Sequence, residues 1–157
     1  MDKRAQQRMV VQPMQIGDVR PLFPLVQAQD AGLTWLRWQS YAKRVVRSKL
    51  GAREGILVAR RSGHALPCGA VCYRIDRDLR FGRILTVEHV IALDLLYPQL
   101  VRSALTAALE RLAVELGCDI IRSIVPANEA EVAEELRRAG HSEDGRTLTK
   151  HCRPDTL

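Results

Sequence analysis

Aromatic residues are scarce, at 4% of the 157 positions. That weakens any reading in which bases of a single-stranded nucleic acid stack on rings interleaved with cations. The four cysteines (Cys68, Cys72, Cys118, Cys152) form no CxxC pair. A zinc site needs about four nitrogen or sulfur ligands, and no His/Cys cluster supplies them. No metal is expected, and the thiols read as reduced, as in a cytoplasm. Cys68 and Cys72 are expected on one face of a strand, because they are an even number of residues apart. No apolar run approaches the ~20 residues that cross a bilayer. The first residues, MDKRAQQRMVVQPMQ, hold no apolar core of a signal peptide. The expectation is a cytoplasmic chain with no membrane partner. Finally, the stretch between Leu93 and Val101 contains no glycine.

What is present fits one globular domain over residues 1–157, with residues 1–8 and 154–157 as loose ends. Hydrophobic residues at 46% and charged residues at 27% are ordinary for such a chain. The net charge of +6 is compatible with anionic partners. The cations are dispersed, however. Arg37, Lys43, Arg44, Arg47 and Lys49 follow one helical stretch, and Asp76 and Asp78 interrupt those around Arg74 to Arg83. A solvated surface accounts for them, and nucleic acid is not an expected partner.

Periodicity gives the order of elements. Met9 to Gln15 reads as a strand near an edge, because of Pro13. Ile16 to Gln29 reads as a helix capped by Asp18, with Pro24 expected to distort it. Thr34 to Leu50 reads as a second helix, capped by Thr34 and stopped by Gly51, its tryptophans in the core. Gly55–Arg61, Gly69–Asp76 and Arg83–Leu93 read as an antiparallel meander with a turn at Ser62–His64. The next helix buries Val101, Leu105, Ala108 and Leu109 and stops at Gly117. Asp94 is a good cap, so this helix could begin there and consume the break. Cys118 to Val125 reads as a buried strand. Asn128, with Glu131 three residues on, reads as a capping box opening a helix that Gly140 ends. Arg146 to Cys152 alternates as a last strand.

The order β-α-α-β-β-β-α-β-α-β, with a strand running into a helix mouth at Ile84 to Gly117 and an asparagine after a later strand, resembles the GNAT superfamily of N-acetyltransferases. The resemblance spans Met9 to Lys150. It implies an α/β (α+β) fold, a mixed central sheet of about six strands flanked by about four helices. It implies acetyl-CoA or another acyl-CoA as cofactor, an amine on a small molecule or protein as acceptor, and a homodimer as one assembly. In that family a Gln/Arg-x-x-Gly-x-Gly/Ala loop holds the pyrophosphate. Aligned on Leu105, those positions here are Tyr97, Leu100 and Arg102. The cofactor residues implied are Ile91, Ala92, Leu93, Val101, Arg102, Ser103, Ala104 and Asn128.

Two readings follow from the altered loop. In one, Arg102 and the amides of Val101 to Ala104 replace the glycine cradle, an arginine at a helix mouth being suited to phosphate. In the other, the site is lost and a non-catalytic module that binds a ligand or protein remains. For catalysis, Glu88 is the only acid in the Ile84–Ala92 strand and stands where the family often keeps its base. It could instead pair with a nearby arginine. The family's tyrosine acid falls on Leu136, so Tyr97 is the candidate acid, with core packing as its alternative role. His89 is expected on the face opposite Glu88. Asn128 is a helix cap as readily as a cofactor contact.

Overall fold

A computed structural model describes residues 8–48, 53–95 and 97–152. It forms two compact units, one ending at Ser123 and one beginning at Ile124.

The first unit is a five-stranded sheet in the order β1-β2-β3-β4-β5. Its strands are β1 (Met9–Pro13), β2 (Glu54–Arg61), β3 (Pro67–Asp78), β4 (Gly82–Ala92) and β5 (Ile120–Ser123). β2, β3 and β4 pair antiparallel, as the meander predicts, and β1 adds antiparallel to β2. Their turns are set by glycine and aspartate. Gly63 and Gly82 take positive φ, 79° and 73°, where a side chain would strain the backbone. The Asp78 carboxylate accepts the amides of Arg80 and Phe81 at 2.8 and 3.0 Å, closing the β3–β4 hairpin. Those bonds, the Phe81 amide foremost, hold the Asp78 carboxyl below its ordinary pKa. β5 alone pairs parallel, which requires a crossover. Helix α3 (Pro98–Glu115) provides it.

The two sheet faces bury separate cores. On one lie α1 (Val19–Gln29) and α2 (Trp35–Arg47), with Leu22, Trp38, Ala42, Ile56, Val58 and Cys72 packed together. Thr34 caps α2 by accepting the Arg37 amide, and Trp38 donates its indole N–H to the Val19 carbonyl at 2.6 Å. Trp38 is core, as expected, and Trp35 packs half-buried against it. On the other face lies α3, packing Val101, Leu105 and Leu109 against Leu57, Val71, Leu85 and Val87. Two cross-strand glycines make room. The Tyr73 ring lies over Gly55, and Val101 lies over Gly69, whose Cβ would meet Val101 Cγ1 at 2.4 Å and the Ile91 carbonyl at 2.7 Å. Gly69 thus lets the start of α3 sit directly on the sheet beside the end of β4.

Several expectations need correcting. Asp18 does not cap α1 with its side chain; it accepts the Gln15 amide and pairs with Arg60. Pro24 lies within α1, as read from the sequence, on its exposed side. Gly51 and Leu50 lie outside the described residues. Cys68 and Cys72 do not share a face. The β2–β3 register slips there, Ala59 facing Gly69 and Arg60 facing Pro67, so Cys68 is an inserted residue and its thiol joins the α3-side core. β5 is half-buried along its length rather than buried.

The second unit holds α4 (Ala130–Arg138). Glu129 is its cap residue, so Asn128 is not the cap; it lies in the preceding exposed turn. Gly140 follows the helix at φ 97°, as expected of a stop. Residues 146–152 form no strand. Leu148 is 92% exposed, so the alternating pattern there buries nothing. The sheet therefore has five strands among the described residues rather than about six.

Candidate functional site

Strand β4 changes character halfway along. From Ile84 to Val87 it is laddered on both edges, to β3 on one side and to β5 on the other. The β5 ladder ends at the pair Val87–Ser123, while β4 runs on to Ala92. Past Val87, the β4 edge that faced β5 presents backbone amides and carbonyls beyond the ladder. Such an edge recognises extended groups that carry amides of their own.

The change begins at a bulge. Cys72 faces His89 and Tyr73 faces Val87, leaving Glu88 as the extra residue. Bulges re-aim side chains and are over-represented beside active sites. This one also overturns the expected placing of His89. Thr86 and Glu88 share a face by alternation, and His89 pairs with Cys72 on that same face, so Glu88 and His89 point to one side. Glu88 is partly exposed and ion-paired with Arg74. The Arg74 Nε also reaches both oxygens of Asp76 at 3.0 Å, and the Thr86 hydroxyl donates to Asp76 at 2.7 Å. Glu88 therefore sits in a charge network just past the end of the β5 ladder.

Beyond β4 the chain makes a pinned entrance to α3. The Leu93 amide donates to the Cys68 carbonyl at 2.9 Å, extending the ladder one step. Asp94 follows, its side chain almost wholly buried. One of its oxygens accepts the Tyr97 amide at 2.9 Å, and the other accepts Arg61, from Nε at 3.1 Å and from the guanidinium tip. This pairing pushes the Arg61 pKa up. The helix starts only at Pro98, with Tyr97 as its cap residue, so Asp94 does not extend α3 backwards. Pro98 has no N–H, and the Leu100 amide is bonded to the Tyr97 carbonyl at 3.0 Å. Around this entrance Leu93, Leu95, Tyr97 and Leu100 are exposed, Leu95 fully.

The candidate cofactor residues divide accordingly. Ile91 is buried in the α1–α2 core. Ala92 packs half-buried on the α3 side, and Leu93 is exposed. Val101 is wholly buried over Gly69. Arg102 and Ala104 are half-buried, and Ser103 is exposed. The amides of Val101 to Ala104 cannot form the expected cradle, because they lie past the first turn, where each is spent on the carbonyl four residues back. Tyr97 is not core-packed; it stands exposed at the helix mouth. Asn128 belongs to the second unit. Among the described residues no group of His, Cys, Asp and Glu could hold a metal ion, and no helix is long and apolar enough to cross a membrane.

Sequence reasoning missed the parts played by Arg74, Asp76, Gly69 and Arg61. Arg74 and Asp76 were legible, since alternation puts them on one face. The closeness of Val101 to Gly69 had only the glycine itself as a signal. Arg61 had none, because its partner lies more than thirty residues away.

No protein-family model matches the sequence, and no curated relative matches it. Solved structures do match the fold. An aminoglycoside N-acetyltransferase AAC(6')-Iy in complex with CoA superposes with a TM-score of 0.79 at 15% identity, covering 94% of this chain and 96% of its own. Glucosamine-6-phosphate N-acetyltransferase from Arabidopsis thaliana gives 0.72 at 13%, covering 93% and 99%. A transcriptional regulator from Bacillus halodurans C-125 gives 0.75 at 16%, covering 92% and 99%. The chain thus has the GNAT N-acetyltransferase fold.

Proposed function

We propose that this protein is an N-acyltransferase that moves an acetyl or other acyl group from CoA to an amine, as a single domain over residues 1–157. The observation that carries the reading is that β4 runs on past the last β5 pair, Val87–Ser123, with Glu88 bulged at the next position. The same fold holds CoA in the aminoglycoside N-acetyltransferase AAC(6')-Iy. Attack on a thioester needs a neutral amine, a polarised carbonyl and a proton for the leaving thiolate. Glu88 is the base in this reading, acting directly or through a water. A carboxylate paired to Arg74 is held in one position, ready to take the amine proton. Amides on the unladdered edge of β4 orient the thioester arm. Tyr97, at the entrance, is the side chain placed to return a proton. The acceptor is an amine on a small molecule or a protein, and a homodimer in a cytoplasmic setting completes the proposal.

A second reading has its own observation. The Asp94 carboxylate occupies the mouth of α3, where a pyrophosphate would sit, and Arg61 neutralises it. That arrangement suits a binding module that has given up the cofactor. One neighbour of the same fold is a transcriptional regulator. Calorimetric titration with acetyl-CoA separates the two. Saturable heat, with CoA thiol released only when an amine is added, supports the transferase. No heat at millimolar acetyl-CoA removes it and leaves the module.

A further inference from the structure

The backbone of Tyr97 is fixed from two sides. Its amide donates to Asp94 Oδ1 at 2.9 Å, and its carbonyl accepts the Leu100 amide at 3.0 Å. The second bond belongs to the first turn of α3. The first depends on a carboxylate whose side chain is only 5% exposed. A carboxylate so far removed from water needs a cation. Arg61 supplies it, donating to Oδ2 from Nε at 3.1 Å and from a terminal nitrogen. Arg61 stands at the end of β2, opposite Met9 of β1, and Asp94 comes 33 residues later in the chain. The strand side of this link is well anchored. Met9 and Ala59 pack in the α3-side core, and the Leu93 amide is tied to the Cys68 carbonyl. Arg61 also lies close enough to Tyr97 to feel its charge. A line of contacts thus runs from the sheet through Arg61 and Asp94 to Tyr97. The helix does not need that line to form. Pro98 is already suited to start it, and Val101 and Leu105 seat it on the sheet.

We infer, resting on the transferase reading, that Arg61 and Asp94 are positioning residues: Arg61 holds Asp94, and Asp94 holds the turn that carries the Tyr97 hydroxyl. Neither touches the reacting atoms. The step they serve balances without a further reactant. The amine nitrogen bonds to the acyl carbon and the carbon–sulfur bond breaks. Glu88 takes the amine proton, the Tyr97 hydroxyl gives its proton to the thiolate, and the proton on Glu88 restores Tyr97 through solvent. Displacing a proton donor from its working position lowers the rate of that step without removing the donor itself.

The test is a double-mutant cycle on the full chain. Acetyl-CoA is the donor, and the acceptor is the best of putrescine, glucosamine, glycinamide and a lysine peptide. Tyr97→Phe, Arg61→Met and the double variant are compared, with Arg61→Lys as the conservative change. Urea unfolding of each variant checks that it is folded. Tyr97→Phe should lower kcat by about 10²-fold, the low end for a general acid. Arg61→Met should lower kcat by about tenfold, with the KM for acetyl-CoA changed less than about threefold. Arg61→Lys should recover part of that loss, because it keeps a cation on Asp94. In the Tyr97→Phe background, Arg61→Met should change kcat by less than about twofold. Equal losses in the two backgrounds, or full kcat in Arg61→Met, overturn the inference while leaving the transferase reading in place. If Arg61→Met does not fold, Asp94→Asn takes its place in the cycle and is judged by the same outcomes. Unchanged kcat in Tyr97→Phe removes the role of Tyr97 and the inference with it. No turnover with any of the amines removes the transferase reading as well.

Discussion

The first half of β4 and its second half are one strand with two physical roles. Ile84 to Val87 are buried and paired on both edges, with Leu85 and Val87 in the α3-side core. Glu88 to Ala92 keep the β3 ladder but run past the end of β5, and they lead into an apolar, pinned helix mouth. The first half has every backbone group and side chain engaged in the fold. The second half leaves backbone and charge available on one edge. The bulge at Glu88 is the boundary, because inserting one residue bends the strand and re-aims every side chain after it.

The largest expected effect breaks the second half without touching the first. Glu88→Gln keeps the shape of the side chain and removes its basicity. Turnover should fall by about 10²–10⁴-fold, the usual worth of a general base. Urea unfolding should move by less than about 1 kcal/mol, since a partly exposed ion pair to Arg74 contributes little. Unchanged turnover in a steady-state assay would take Glu88 out of the mechanism.

Next comes a change confined to the first half. Leu105 is wholly buried on α3 beside Leu85 and Val87. Leu105→Ala should cost about 3 kcal/mol in urea denaturation, from lost burial plus a residual cavity. A cost below about 1 kcal/mol would show that α3 is not seated as described.

Gly69 joins the halves, since α3 rests on it through Val101 beside Ile91. Gly69→Ala should cost about 2 kcal/mol by overpacking, because the Ile91 carbonyl is backbone and gives way poorly. It should also weaken donor binding more than Leu105→Ala does, by shifting the helix mouth. Equal effects of the two variants on binding would deny that Gly69 links fold to site.

Cys72 gives the smallest effect. It is buried opposite His89, and burial pushes its thiol up to about 12. Tyr41, in contact with it, is pushed up as well, by burial first. A raised thiol pKa stabilises the fold below the ordinary thiol range and loses that contribution as pH climbs from about 9 towards 12. Over that window the thiol should cost about 1.4 kcal/mol of stability per pH unit. Chemical denaturation of the wild type and Cys72→Ala at pH 8 and pH 10 should show the variant losing less stability over the interval. Parallel losses would contradict the burial of this thiol.

The halves also differed in legibility. The first half, the meander and the buried stripe of α3 were readable because alternation and helical spacing record which face is covered. Thr34 as a cap and Gly117 and Gly140 as stops were readable because capping chemistry is local. The bulges were not. An inserted residue leaves no mark on composition, yet it moved Cys68 to the other face and brought His89 round to the side of Glu88. The helix mouth was half-readable. The missing glycines were plain, but Asp94 looked like a cap for α3 when it caps the turn before it, fixed there by an arginine distant in sequence. The alternation in residues 146–152 misled for the opposite reason: the pattern is present with nothing for it to cover.

The most direct measurement of the contrast is amide hydrogen exchange along β4, with and without acetyl-CoA at saturating concentration. The expected result is slow exchange from Ile84 to Val87 in both states, and new protection confined to Glu88–Ala92 when the donor is present. Exchange in Glu88–Ala92 that does not change at millimolar acetyl-CoA would contradict the claim that this edge receives the donor.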